Sequence, residues 1–349
     1  MTTAITAREQ AILDQLDPLE KLNRDLRASG RMMTRAQARF IVDSYYQIQE
    51  ARKSAGNQTR AAGEDEEPHA LVDFVFNQMR TCERNLHNML DEYSSGQKAG
   101  RWAKSLIGIG PVITAGLLAH IDIHKAPYVG NIWRFAGLDP NVEWLGKVKA
   151  TKLMAEMVPP RTRPTSEHIA EIGLRLNRRP ELIANLARKD DGTIDRASLT
   201  KALARRPWNA KLKTLCWKIG VSFTKSSGHE QTVYGPVYAS RKAQEEYRNQ
   251  RINPDTGRLW FQDQAEHSLA TKKIGRSTEA YKWYSKGMLP PARILIRSQR
   301  YAVKLFLSHF HHVLYEVTFG KAPPMPYILT KSDHGRFIGP PNWPMANDE

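Results

Sequence analysis

The densest chemical signal lies at residues 104–121, which read Lys-Ser-Leu-Ile-Gly-Ile-Gly-Pro-Val-Ile-Thr-Ala-Gly-Leu-Leu-Ala-His-Ile. Gly108 and Gly110, flanked by Ile107 and Ile109 and followed by Pro111, fit the turn of a helix-hairpin-helix. Glycine adopts backbone angles that side chains resist, and it lets a phosphate approach the chain closely. Proline suits the first position of the second helix, where an amide hydrogen would have no partner. The free amides that follow carry the partial positive charge of a helix N-terminus and attract a phosphate oxygen. Lys104, Gly108, Ile109, Gly110 and Thr114 are therefore candidate DNA-binding residues, with Thr114 adding a hydroxyl one turn in. Such a site reads the backbone rather than base edges, so it predicts duplex binding with weak sequence preference. A tight interhelical turn with packing glycines is the alternative reading of the same residues.

A second set of candidates surrounds two tryptophans. Arg205, Arg206, Lys211, Lys213 and Lys218 flank Trp208 and Trp217, and no Asp or Glu occurs from 197 to 229. Cationic side chains with no carboxylate beside them suit phosphate contact, and affinity should then fall as salt rises. A solvated basic face on an amphipathic helix is the plainer alternative. Lys272, Lys273 and Arg276 form a further basic knot and complete the DNA-binding set. Residues 277–284 interleave Tyr281, Trp283 and Tyr284 with charge. That pattern suits stacking on unpaired bases. Helix packing, with Ser277 as N-cap, is the preferred reading.

Catalytic and metal chemistry are only faintly signalled. Ser198 is the weak candidate for a nucleophile, because nothing beside it would activate its hydroxyl. His309 and His312 share a helical face, but a metal needs more ligands, and His120, Asp122 and His124 sit elsewhere in sequence. No metal is assigned, and no cofactor is expected except Mg²⁺ in the case of an active recombinase. Cys82 and Cys216 are the only cysteines and lack disulfide or zinc-knuckle spacing, which predicts a reducing, cytoplasmic setting. The chain opens without a signal-peptide pattern, and its longest apolar run, 111–121, is too short to span a bilayer, so no membrane partner is expected.

These residues need helical elements to carry them. A length of 349 residues suggests two or three domains, and a net charge of +16 points to a polyanionic partner. Residues 7–53 have a helical period, with Leu13, Leu16, Leu19 and Leu22 three apart and a break at Ser29-Gly30. A second helix follows from about Thr34, with Ile41, Val42 and Tyr45 inward. Residues 54–68 read as a polar linker containing the acidic run Glu64, Asp65, Glu66 and Glu67. The apolar spacing from Leu71 to Leu90 places a long helix within 68–100. It pairs with the first helices or, as a coiled coil, with a second subunit to give a homodimer.

The organisation expected is an N-terminal helical region (1–60), that long helix (68–100) and a helix-hairpin-helix part (101–149). An inserted helical module (150–205) follows, with short helices at 166–176, 180–189 and 195–205. The remainder (206–320) has amphipathic helices at 207–226 and 289–320. The irregular tail (321–349) holds six of the twenty prolines. No run alternates at strand period and no internal repeat is present, so the fold class is all-α.

Ile109-Gly110-Pro111 through His120-Ile121, with Ile132-Trp133-Arg134-Phe135-Ala136-Gly137-Leu138-Asp139-Pro140, resembles the C-terminal domain of DEDD-type insertion-sequence transposases of the Piv-invertase kind. There a helix-hairpin-helix precedes a Phe-Ala-Gly-Leu-x-Pro stretch and then basic helices. Residues 211–220 and 302–316 look like those later helices, and the resemblance covers roughly 70–145 and 205–320. It implies DNA binding and a link to recombination. Two departures stand out. The family's RuvC-like nuclease domain, with four acidic residues on a mixed sheet, has no counterpart before residue 101. The family's nucleophilic serine, after the Gly-Leu-x-Pro stretch, falls where this chain has the 150–205 insertion and then Arg206-Pro207-Trp208-Asn209.

The expected function is a duplex-DNA-binding protein of recombination, mobile-element or phage biology. Two alternatives stay open: an active recombinase completed by a partner chain, and a non-catalytic phage structural or anti-defence protein that grips protein or RNA with the same surface.

Overall fold

The structure, a computed structural model, describes residues 27–61, 70–325 and 338–345. The leucine spacing at 13–22, the acidic run at 64–67 and the middle of the tail lie outside the described residues. Within them the chain is all-α: fourteen α-helices, two short 3₁₀ turns and two isolated bridges, Arg188–Ile194 and Ile252–Leu259, with no strand. No described helix is long and apolar enough to cross a membrane.

The helices are α1 (Arg35–Ala61), α2 (Ala70–Ser95), α3 (Lys98–Lys104), α4 (Pro111–His120), α5 (Val129–Phe135), α6 (Gly146–Met157) and α7 (Ser166–Arg175). They continue as α8 (Pro180–Ala187), α9 (Arg196–Ala204), α10 (Ala210–Lys225), α11 (Tyr234–Asn249), α12 (Gln262–Thr271), α13 (Glu279–Tyr284) and α14 (Pro291–Phe319).

The long helix α2 packs on α1 of its own chain. Arg52 forms an ion pair with Glu83, and Gln49 donates to Glu83 at 3.1 Å. The polar stretch 54–61, expected as linker, is instead the end of α1. Its Gly56 lies against the Phe76 ring of α2, which gives a polar sequence an apolar partner the local pattern does not reveal. Two α1 arginines then close the C-terminus of α4: Arg35 donates to the Ile121 carbonyl, and Arg39 to that of Ala119 at 2.8 Å. Cations there satisfy orphan carbonyls and complement the helix dipole.

The main core is aromatic. Phe306 of α14 meets Trp102, Phe223, Tyr234 and Phe310 with ring centroids 5.4 to 6.3 Å apart, and all five rings are fully buried. Such pairs each contribute roughly 0.5–1.5 kcal/mol beyond area burial. Two smaller cores stand apart from it. Residues 150–203 close round Ile172, Leu199 and Leu203, and α12, α13 and the start of α14 close round Phe261 and Tyr284. The helix α6, which the sequence reading missed, supplies Leu153 and Met154 to the first of these, and Arg196 binds the carbonyls of Met154 and Val158 at its end. Thr278, not Ser277, caps α13, accepting from the Tyr281 amide at 3.2 Å.

The histidines of α14 hold structure together. His309 takes the Tyr234 hydroxyl on Nδ1 at 2.7 Å and donates from Nε2 to the Ile338 carbonyl at 2.9 Å. His312 pairs with Glu316 at 3.3 Å, and no group of three metal-ligating side chains occurs among the described residues. Burial pushes the His309 imidazole down to about 4, against the opposing bond to Ile338. An unfolded chain binds that proton below pH 6.5 and the folded chain only near 4, so stability is lost as pH falls through this window. The loss should reach about 3 kcal/mol. In urea-denaturation midpoints between pH 7 and 4, His309→Gln should flatten the slope by about one proton.

Candidate nucleic-acid interface

The segment expected as the hairpin is a turn between α3 and α4. Ile109 donates to the Leu106 carbonyl at 3.0 Å, Gly108 takes φ +93°, and Gly110 is the N-cap of α4 with Pro111 at its first position. The Gly108 carbonyl accepts the Ser222 hydroxyl of α10 at 2.6 Å, so the turn is mounted on α10. A Cβ on Gly110 would meet nothing within 4 Å, which leaves the mouth of the α4 N-terminus open.

The flanking candidates divide. Lys104 does not reach outward: it pairs with Asp91 at 2.6 Å and donates to Ser95, tying α3 to α2. Thr114 is fully buried and its hydroxyl donates to the Gly110 carbonyl at 3.0 Å, one turn back in its own helix. Ile109 is buried with its amide already bonded, so it anchors the turn. Of the five hairpin candidates, Gly108 and Gly110 are half-buried, and a Cβ at Gly110 would meet open space whereas one at Gly108 would press on Ser222 and Ser226.

The basic cluster at 205–218 splits across α10. Lys211 pairs with Asp43 of α1 at 3.2 Å, and the Lys218 ammonium sits 3.9 Å over the Tyr46 ring, where burial lowers its pKa. Arg206 and Lys213 point to the other flank. There the Arg206 guanidinium lies 4.8 Å over Trp144, and the Lys213 ammonium 3.8 Å over Trp208. With Trp217 they line an open cleft of about 440 Å³. Arg205 is exposed at the end of α9. Lys272, Lys273 and Arg276 are exposed on the loop after α12, on the part of the fold built round Phe261. Tyr284, in the stretch considered for base stacking, is buried there.

The Phe-Ala-Gly-Leu stretch seats this flank. The Leu138 amide donates to the Trp133 carbonyl at 2.8 Å and that of Gly137 to Arg134 at 3.1 Å, a Schellman end to α5 with Gly137 at φ +66°. A Cβ on Gly137 would lie 2.8 Å from Trp208 Cγ and 3.0 Å from Lys213 Cδ, so both side chains rest on bare backbone. The Phe135 carbonyl accepts the Asn209 amide at 2.8 Å, and the Asn209 side chain caps α10 at the Leu212 amide, 3.0 Å away.

The same face gathers cations from α14 that the sequence reading did not single out. Burial, then Arg300 and Arg206, lowers the Lys213 pKa. Burial also lowers Lys304, with Asp139 opposing and Arg300 assisting, and it lowers Arg300 with help from Arg293. Among the described residues no carboxylate pairs with Arg206, Lys213, Arg300 or Lys304. The signal was available: no Asp or Glu occurs from 280 to 315, where Arg293, Arg300 and Lys304 recur at helical spacing. Ser198 is committed elsewhere, its hydroxyl donating at 3.1 Å to Asp195, the N-cap of α9, which also pairs with Lys189.

No protein-family model, no curated protein and no solved structure matches the chain.

Gly137→Ala should lower stability by roughly 1–3 kcal/mol through its positive φ and the collision with Trp208. Gly130→Ala, inside α5 with open space at its Cβ, should instead raise stability by about 0.4–1 kcal/mol. Urea unfolding followed by tryptophan emission reads both changes.

Proposed function

We propose that the protein binds duplex DNA through its phosphate backbone, with little preference for sequence. The observation that carries this is the collection of Arg206, Lys213, Arg300 and Lys304 on one face with no carboxylate to pair them among the described residues. Burial, then neighbouring cations, lowers the pKa of Lys213 and Arg300, and burial outweighs Asp139 at Lys304, so these cations sit where their charge is less well solvated than on open surface. Sites that break local stability rules in this way are often binding sites. A run of phosphates supplies the missing counter-charge. The open N-terminus of α4 at Gly110 adds backbone amides suited to a phosphate oxygen, and α10 carries both features, its Ser222 holding the hairpin and its Lys213 the cationic face.

The likeness of residues 109–121 and of the Phe-Ala-Gly-Leu-Asp-Pro stretch to an insertion-sequence transposase domain supports a role in recombination or mobile-element biology. The role proposed for this chain is binding. A catalytic serine is not part of the proposal, because the Asp195 carboxylate that accepts the Ser198 hydroxyl is paired with Lys189 and caps α9, which makes it a poor base.

Fluorescence anisotropy with short duplexes of unrelated sequence tests the reading. Affinities for those duplexes should agree within a few-fold. Arg300→Gln with Lys304→Gln should weaken all of them together, roughly tenfold or more, and reduce the salt slope by about two. Melting temperature should hold or rise, since like-charge crowding falls. Gly110→Val should fold normally, having open space at its Cβ, and lose affinity as the side chain fends off the phosphate. Unchanged duplex affinity in both variants would overturn the proposal.

A further inference from the structure

We propose that the cleft between Trp144, Trp208 and Trp217 receives one unpaired DNA base, with Arg206 and Lys213 holding the phosphate beside it. The inference rests on the DNA-binding reading and deepens it: the preferred DNA carries an unpaired nucleotide within or beside the duplex.

The lining of the cleft selects this ligand. It holds three indoles, two cations and no carboxylate in about 440 Å³, within the range of small-ligand clefts. Trp144 and Trp208 already carry a cation on one face, so a cationic guest would meet both repulsion and competition. Trp217 is 59 % exposed and no cation covers its ring among the described residues. An exposed indole beside unpaired cations fits a ligand that is planar and anionic together, which describes a nucleotide. A paired base cannot use it, because its faces are covered by its neighbours in the stack. An unpaired base has a free face, and stacking on an aromatic ring is tolerant of base identity.

The placement adds a second argument. The chain leaves for the small helical core at Trp144, just before α6, and returns from it at Arg206, just after α9. The Trp144 indole N–H donates to the Ala204 carbonyl at 2.8 Å and clamps the two connections together. The cleft therefore sits in the junction between two separately packed cores, with the walls contributed by both connections and by α10. Lys213 and Trp217, one turn apart on α10, line it together. Arg300 is near enough to Lys213 to act on its charge, and Lys304 near enough to Arg300, so a base leaving a bound duplex has a short path into the cleft.

The test is a competition on the full chain between a duplex with a single-nucleotide bulge and the same duplex fully paired, with a bulged RNA duplex as a third arm. The bulged DNA should bind roughly tenfold or more tightly, the scale of one base–aromatic stack. Trp217→Ala should erase most of that advantage while paired-duplex affinity and melting temperature hold, and Trp217→Phe should restore much of it. Equal affinity for bulged and paired DNA, both falling with salt, would overturn the cleft assignment and leave backbone binding standing. Binding to neither would overturn both. Stronger binding of bulged RNA than bulged DNA would overturn the assignment of the guest as DNA.

Discussion

Phe306 sits where four helices have to agree. Its ring meets Trp102 of α3, Phe223 of α10, Tyr234 of α11 and Phe310 of its own helix α14. Packing among large rigid rings admits few arrangements, because interiors are filled at crystal-like density. That cluster fixes α3 and α10 relative to each other. The hairpin follows, since it starts at the end of α3 and is held by Ser222 one residue before Phe223. The cationic face follows as well, since it is shared by α10 and α14. Gly116 of α4 makes the third helix fit: a Cβ there would come within 2.7 Å of Leu215, so α4 and α10 pack in close contact.

On this frame the surface carries a tension that the core must offset. Four cations crowd together without carboxylates to pair them among the described residues, while three indoles, Trp144, Trp208 and Trp133, lie under three of them. The opposite flank of α10 is ordinary by comparison. There Lys211 finds Asp43 and Lys218 finds Tyr46, at distances typical of settled surface contacts. One helix thus has a neutralised side against α1 and an unneutralised side toward α14. Electrostatic binding of a polyanion relieves the second and leaves the first untouched.

The all-α class was legible, and so was the turn at Gly110-Pro111, because capping preferences are local and act over a few residues. The roles of Lys104 and Thr114 were not legible. Lys104 finds Asp91 thirteen residues back on another helix, and Thr114 satisfies its hydroxyl on its own helix at Gly110. The polar run at 54–61 looked like linker because its packing partner, Phe76, lies on a different helix, α2. The cationic set was half read. Arg206 and Lys213 stood out beside their tryptophans, whereas Arg300 and Lys304 were hidden in an apolar helix although no acidic residue accompanies them. Trp144 was unreadable as part of the cleft, since the whole small helical core separates it from Arg206 in sequence.

The claim at the centre of this account is that neutralising phosphates drives binding. A salt titration of the wild-type chain on a fully paired duplex measures it directly. The account predicts a straight fall of log affinity with log salt and a slope of about −3.6, the value for four phosphate contacts at roughly 0.9 each. A flat profile, or duplex affinity no better than that for an uncharged polymer, would contradict it.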